Sequence, residues 1–576
     1  MNKGNMIGLG VMTVAAIGVI AVANPMYQAI QDKKVSDAAG GAETTTMTGE
    51  AEGFGGPITA EVVLAGDKIV GLTLTGEKET PEIGGTAMTS LTEAILEKQG
   101  LDGVDAVAGA TWTANGVFEA IKNATGAGST TEETAAETTG AQEAVSVSGM
   151  EHGLGFYSSG RVGPGKDDQE VGVYSFNEVV AYVLFDDAGR ILDLEVDQLE
   201  VATPNYDGES MPKLTGFPGQ SYNADENHDE KVDAVLEQTD DAYLAQVDTW
   251  KTKRERGTTY KLNSATWEDE MDVFEETFKG MTVGEVEQWY EKYCSDVNGR
   301  PLHGTSDKEE DVKKYEALSA DEKADLDAIS SATMSLNDAH GNLIAALKNA
   351  YENRKPVAAE KVAKIGLGFT NTGRVGPGKD DQEVGVYSFN TQASGACFDE
   401  AGKIVALYTD VMEVATPNYD GEFMPKFTGF PGQSYNADEN HDEKVDAVLE
   451  QTDEDFLAQI ASWKTKRERG TTYKLNSATW ADEMNLFEET FAGMTADEVE
   501  AWFTANCSDV NGRPLHGTSD KEEDVKKYEA LSDDVKKELD GISSATMSLN
   551  DAHGDILGSI TNAWANAKDA NLAAGQ

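Results

Sequence analysis

Three short stretches share one spacing. Each begins with an aspartate and ends in Ala-Thr six residues later: Asp105 to Thr111, Asp327 to Thr333, and Asp540 to Thr546. The small residues before each threonine (Gly109 and Ala110, Ala332, Ala545) let the backbone come close to a bulky ligand. A helix is expected to begin just beyond each threonine, with Thr113, Ser335 and Ser548 as hydroxyls suited to start it. The N–H groups and positive end of such a helix favour a phosphate. A threonine hydroxyl there can hold that phosphate through an ester bond. The same residues also make an ordinary cap and tight turn. Their recurrence at equivalent places favours a site, although two of the three arise from one duplication.

The elements that must position these threonines repeat as well. Residues from 153 match those from 366 at a constant offset of 213, with no net insertion. The string FPGQSYNADENHDEKVDAVLEQTD begins at both Phe217 and Phe430. That period is far too long for a solenoid unit, so complete domains are expected in tandem. Each domain opens with alternating apolar runs broken at a turn, which read as hairpins: around Gly66, Gly189 and Gly402. Each ends in a helical pattern, and the duplicated domains insert more helices. Capping boxes at Thr282/Glu285 and Thr495/Glu498 start two of these. The fold class is α+β. The expected boundaries are an N-terminal membrane segment (1–34), a linker (35–53) and a small domain (54–123). A second linker (124–148) leads to the first large copy (149–350). Residues 351–364 join it to the second copy (365–567), with a tail at 568–576. Both long linkers are rich in Thr, Ala, Glu and Gly and read as solvated tethers.

Composition removes several function classes. The 576 residues carry 46 Lys+Arg against 103 Asp+Glu, a formal charge of −57, so no nucleic-acid partner is expected. The three cysteines, Cys294, Cys397 and Cys507, form no CxxC pair, which leaves c-type haem and iron–sulfur centres without ligands. No metal site is expected. Residues 6–23 form an unbroken apolar run that can nearly cross a ~30 Å hydrocarbon layer at ~1.5 Å per residue. It reads as a signal-anchor. Ala21-Val22-Ala23 also fits a cleavage site, and either way the rest of the chain is expected on the outer side of the cytoplasmic membrane.

The three aspartate–threonine stretches resemble the flavin attachment site of the FMN-binding domain family. That family occurs in sodium-translocating NADH:quinone reductases and in Rnf complexes. Its pattern is roughly Asp-x-x-Ser/Thr-Gly-Ala-Thr. Residues 54–123 resemble the whole family domain and add Glu79-Thr80-Pro81-Glu82-Ile83-Gly84, similar to a family element near the flavin. The duplicated copies resemble longer relatives in surface flavoproteins of Gram-positive bacteria. They carry Ala202-Thr203-Pro204 and Ala415-Thr416-Pro417 in the corresponding place. Ala108, Glu82, Ser331 and Ser544 depart from the family pattern.

The resemblance implies up to three covalent FMN groups, on Thr111, Thr333 and Thr546. Asp105, Asp327 and Asp540 would serve the attachment, and Thr80, Thr203 and Thr416 would lie near the flavin. It also implies a flavin transferase that uses FAD, a quinone- or NADH-linked membrane donor, and an extracellular acceptor. The expected function is that of an electron carrier, rather than of an enzyme with its own substrate. A terminal reductase and a non-redox surface binding module are the alternatives. The reductase reading lacks a Gly-x-Gly-x-x-Gly fingerprint.

Weaker signals are read as follows. Thr266 and Thr479 end Asn-Ser-Ala-Thr strings without the aspartate, and are expected to cap helices. Arg161-Val-Gly-Pro-Gly-Lys166 and its copy from Arg374 serve equally as a turn or a phosphate cradle. The acidic stretch from Asp225 resembles a calcium loop but lacks its glycine, and reads as a solvated loop. Trp112 is either a flavin-stacking ring or a core residue.

Overall fold

The structure is a computed structural model. It describes residues 44–574 apart from 53–55, 67, 77, 79–83, 102–110, 126–144, 148, 167–171, 207, 209, 226, 228, 230, 263–264, 330–331, 380–383, 420, 422, 443 and 476–477. The apolar run at 6–23 therefore lies outside the described residues. Among those described, no helix is long and apolar enough to cross a membrane. The chain is mixed α and β, and it divides into two compact units, Met1–Gly140 and Ala141–Gln576.

In the first unit, alternation in Pro57–Ala65 turns Ile58, Ala60 and Val62 inward. This strand is the centre of an antiparallel sheet between Thr45–Glu52 and Lys68–Thr75. Helices Gly84–Lys98 and Thr111–Thr125 cover it with Leu91, Ile95, Val117 and Ile121. The strand Thr45–Glu52 corrects the sequence reading of 35–53 as tether throughout. Ladder hydrogen bonds need no apolar side chains, and Gly49 lies so close to the last helix that a Cβ would meet the Ala120 carbonyl at 2.3 Å.

The second unit holds both duplicated copies. Glu151–Lys166, Gly172–Phe185 and Ile191–Ala202 form an antiparallel sheet, with Lys355–Pro356 added beside the first strand. Lys361–Lys379, Gly385–Phe398 and Ile404–Ala415 repeat it, extended by Lys568–Ala574 and Val145–Val147. Strand Gly172–Phe185 is buried on both faces, and the period of two shows what each face meets. Phe176, Val180, Tyr182 and Leu184 enter a core shared with Phe389, Ala393 and Cys397 of the other copy. Val179, Ala181, Val183 and Phe185 face their own helices. The copies thus stack sheet on sheet, with helices on the two outer flanks.

Cross-braces reinforce the contact symmetrically. Gln220 donates to the carbonyl of Thr428 at 2.6 Å, and Gln433 donates to that of Thr215 at 2.6 Å. Lys355 pairs with Glu488 at 2.8 Å, and its counterpart Lys568 pairs with Asp272 at 2.9 Å. The segments read as a linker at 351–364 and a tail at 568–576 differ from that expectation, because each contributes a strand and a bracing lysine. The two copies, expected as complete domains in tandem, share one core.

Candidate functional site

Helix Trp267–Phe278 begins at Thr266, whose hydroxyl accepts the Asp269 N–H at 3.1 Å while the Asp269 carboxylate accepts the Thr266 N–H at 2.7 Å. Thr479 and Asp482 repeat this capping box. The Asn-Ser-Ala-Thr strings are caps, as their spacing predicts. The helix turns Trp267, Met271, Phe274 and Phe278 into the core. Arg254 pins it to strand Ile191–Ala202: its guanidinium donates to Glu275 at 2.6 Å, to Asp272 at 2.8 Å and to the Val196 carbonyl at 2.7 Å.

Two carboxylates of this helix are buried: Glu275, held by Arg254, and Glu270. Glu270 is 1% exposed, and it faces the loop that carries Thr333. Its Oε2 accepts the N–H groups of Thr333 and Met334 at 2.6 and 2.8 Å. The Thr333 hydroxyl donates to the same carboxylate, 3.0 Å from Oε1 and 3.2 Å from Oε2. Glu483 repeats the arrangement, with Thr546 and Met547 N–H groups at 2.6 and 3.0 Å and the Thr546 hydroxyl at 3.3 Å. Burial holds the Glu270 carboxyl above its ordinary range, against the hydrogen bonds from Thr333 and Met334 and the charge of Arg300. Glu483 is raised for the same reason.

The loop is fixed from its other side by Gly299. Its φ of 67° is left-handed, and a Cβ there would meet the Asn337 carbonyl at 2.4 Å and the Ser335 hydroxyl at 2.6 Å. The Gly299 carbonyl accepts the Leu336 N–H at 3.1 Å. Gly512 does the same for Leu549.

The expected helix starts are corrected. In the small unit Thr111 is itself the first residue of Thr111–Thr125, and Thr113 is buried inside it. In the duplicated copies a two-stranded hairpin, Asn337–Asp338 with Gly341–Asn342, separates Thr333 from the last helix. That helix starts at Leu343 and is capped by Asn342, while in the second copy Asp555 caps Ile556–Ala565. Ser335 and Ser548 hold turns instead, accepting the Asn337 and Asn550 N–H groups at 3.3 Å.

A cleft of about 160 Å³ opens beside Thr333. Met334 and Ser335 line one end, Tyr260, Trp267 and Met271 an apolar wall, and Arg300, Lys253 and Asp338 carry charge, Asp338 beside His340. The Trp267 indole N–H is buried in this wall without a partner. Lys253 pairs with the buried Glu200 at 3.2 Å. Burial works against its ammonium, but Glu200 and Tyr260 outweigh that and hold it above its usual range. An aromatic wall and an orphan donor fit a ring system, and with Lys253 paired to Glu200, Arg300 is the cation that would meet a phosphate, with Asp338 on the same lining.

Of the residues singled out from sequence, Thr333 and Thr546 stand at the buried carboxylates Glu270 and Glu483, with Ala332 and Ala545 buried beside them. Asp327 and Asp540 are exposed on the helices Ala320–Ala328 and Asp533–Gly541 that precede the loops. Thr203 and Thr416 are buried elsewhere. Their hydroxyls accept the Tyr174 and Tyr387 N–H groups at 3.1 Å, and neither lines the cleft. Asp105, Gly109, Ala110 and Thr80 lie outside the described residues, as do the side chains of Thr111 and Trp112. Glu270, Arg300, Lys253, Tyr260 and Trp267 were not anticipated. The one signal for them is a glutamate on an apolar helical stripe, kept in both copies.

Residues 53–126 match the FMN-binding domain family, so this part of the chain is an FMN-binding domain and FMN is its cofactor. The chain is also similar to the chlorophenol reductase of Desulfitobacterium hafniense, at 33% identity over 192 residues. That alignment takes in 32% of this chain and 52% of the reductase, so the chain spans about half the length of the curated relative it matches.

Proposed function

We propose that this protein is an electron carrier with several FMN groups, each esterified to a threonine: Thr333 and Thr546 in the duplicated copies and Thr111 in the small unit. The observation that carries this reading is the Thr333 loop, whose next residues Met334 and Ser335 line a cleft with an aromatic wall, an unpartnered indole donor and the Arg300 cation. Arg300 would hold the phosphate, Tyr260, Trp267 and Met271 would cover the ring, and Lys253 would face its polar edge. When bound, the flavin supplies one- and two-electron transfer, and the protein supplies its position and electrostatics. Covalent attachment keeps the group with the chain outside the cell, where a dissociating cofactor would be diluted away. In this reading the run at 6–23 holds the chain to the outer face of the membrane. A quinone- or NADH-linked donor charges it, and an extracellular acceptor discharges it.

The test is intact mass spectrometry of the chain coexpressed with a flavin transferase. Three FMN increments are expected, and Thr111→Ala, Thr333→Ala and Thr546→Ala should each remove one. A triple variant of full adduct mass overturns the assignment. The relative's name favours a second reading, reduction of a small molecule at the cleft lined by Met334 and Trp267. Turnover of a chlorinated phenol by the purified, reduced protein would support it over simple relay.

A further inference from the structure

We propose that Glu270 and Glu483 are the bases that accept the hydroxyl protons of Thr333 and Thr546 when the flavin is attached; this rests on reading those threonines as flavin carriers.

The geometry separates two roles within one carboxylate. In Glu270, Oε2 is taken by the N–H groups of Thr333 and Met334, which fix the loop. Oε1 is left closest to the hydroxyl, at 3.0 Å, within reach for proton transfer. A threonine hydroxyl is a weak nucleophile at its own pKa, and an adjacent base is the usual means of activating it. Glu270 and Glu483 are 1% and 0% exposed, set among Trp267, Met271 and Phe274 or their counterparts. Removal from water favours the protonated carboxyl, and both groups are held above the ordinary range. A purely structural carboxylate would have no need to meet the one atom that is to be esterified, and here it does so in both copies.

The step balances with flavin adenine dinucleotide as co-reactant. The threonine Oγ forms a bond to the phosphorus that bears the ribityl chain. The bond from that phosphorus to the bridging oxygen breaks, and AMP leaves with the bridging oxygen and its electron pair. The hydroxyl proton passes to Glu270 Oε1. The carboxylate becomes neutral as a phosphodiester anion appears beside it, so the buried site carries one negative charge before and after. No net charge is brought into a poorly solvated place, which keeps the desolvation cost low.

The experiment uses the full chain, purified without flavin, then treated with a flavin transferase, FAD and Mg²⁺. Label at the Thr333, Thr546 and Thr111 peptides is followed by mass over time. Glu270→Gln should slow labelling of Thr333 by roughly 100-fold or more while Thr546 is labelled at the normal rate, and Glu483→Gln should do the converse. Glu270→Asp, which keeps a carboxylate, should recover part of the rate. In the wild-type chain, the ratio of Thr333 to Thr111 labelling should rise with pH as a carboxyl titrates, and this rise should vanish in Glu270→Gln. Thr333 labelled at the normal rate in Glu270→Gln overturns the inference and leaves the carrier reading intact. Should that variant misfold, a wild-type ratio that is flat with pH overturns it instead. A wild-type Thr333 that never takes label sinks the carrier reading itself.

Discussion

Phe176 and Phe389, 213 residues apart and equivalent by the duplication, stack ring on ring with centroids 5.1 Å apart and planes 7° from parallel. Around them Trp250, Trp463, Phe427 and Phe430 come from both copies. A core shared in this way predicts that neither copy unfolds alone. Phe389→Ala should cost about 3–5 kcal/mol. The loss should appear as one cooperative transition in urea, followed by tryptophan fluorescence of the 141–576 portion. Two transitions, one of them unchanged, would contradict the shared core.

The pin that holds the Glu270 helix is also testable. Arg254 is nearly buried among Glu275, Asp272 and Glu195. Its removal in Arg254→Met leaves Glu275, Asp272 and Glu195 with Lys568 as their cation, and the loss should approach the roughly 3–5 kcal/mol of a broken buried pair. The measurement is the shift in urea midpoint at pH 7. Lowering the pH to 5 should recover part of the loss, because burial favours the neutral form of Glu275 and protonation there removes the need for the lost cation.

Glu178 predicts a pH effect with a definite sign. It is fully buried opposite the other copy, and burial pushes its carboxyl from 4.5 up to about 8, against the opposing pull of the Thr391 hydroxyl. A raised folded-state pKa means that its contribution is complete below pH 4.5 and lost as pH rises to about 8. Glu178→Gln should therefore change little at pH 4 and stabilise by roughly 2–4 kcal/mol at pH 8. Asp197 and Asp410 are also pushed up to about 7, and they slope the same way in both proteins, so the difference between variant and wild type isolates Glu178. Thermal melts across pH 4–9 check it.

Thr266 and Thr333 both end in Ser-Ala-Thr or Ser-Ser-Ala-Thr settings, yet they differ in task. Thr266→Ala should cost about 1 kcal/mol through the lost cap and leave every flavin increment in place. Loss of an increment in Thr266→Ala, read by intact mass, would reverse the assignment of the two sites.

Much of this was legible in the chain. The hairpins around Gly189 and Gly402 followed from alternation, and Thr282, Thr495, Thr266 and Thr479 follow from cap spacing, because both signals are local. The fusion of the copies was not legible. A strand buried on both faces, such as Gly172–Phe185, records that something covers it and not what does. The strand Lys568–Ala574 forms between partners distant in sequence, Lys361–Lys379 on one side and Val145–Val147 on the other. The insertion of a hairpin after Thr333 escaped notice because two-residue strands have almost no sequence signature. Glu270 went unread because a glutamate in a helix is ordinary until its neighbours on the stripe are counted.

Stacking sheet against sheet has a last consequence for how such a molecule is wired. The two threonine loops lie on outer flanks, with both sheets and the aromatic core between them. Each loop then meets the world as its own terminal. On the carrier reading proposed above, a donor touching one flank and an acceptor touching the other would be served together, back to back, without competing for the same ground.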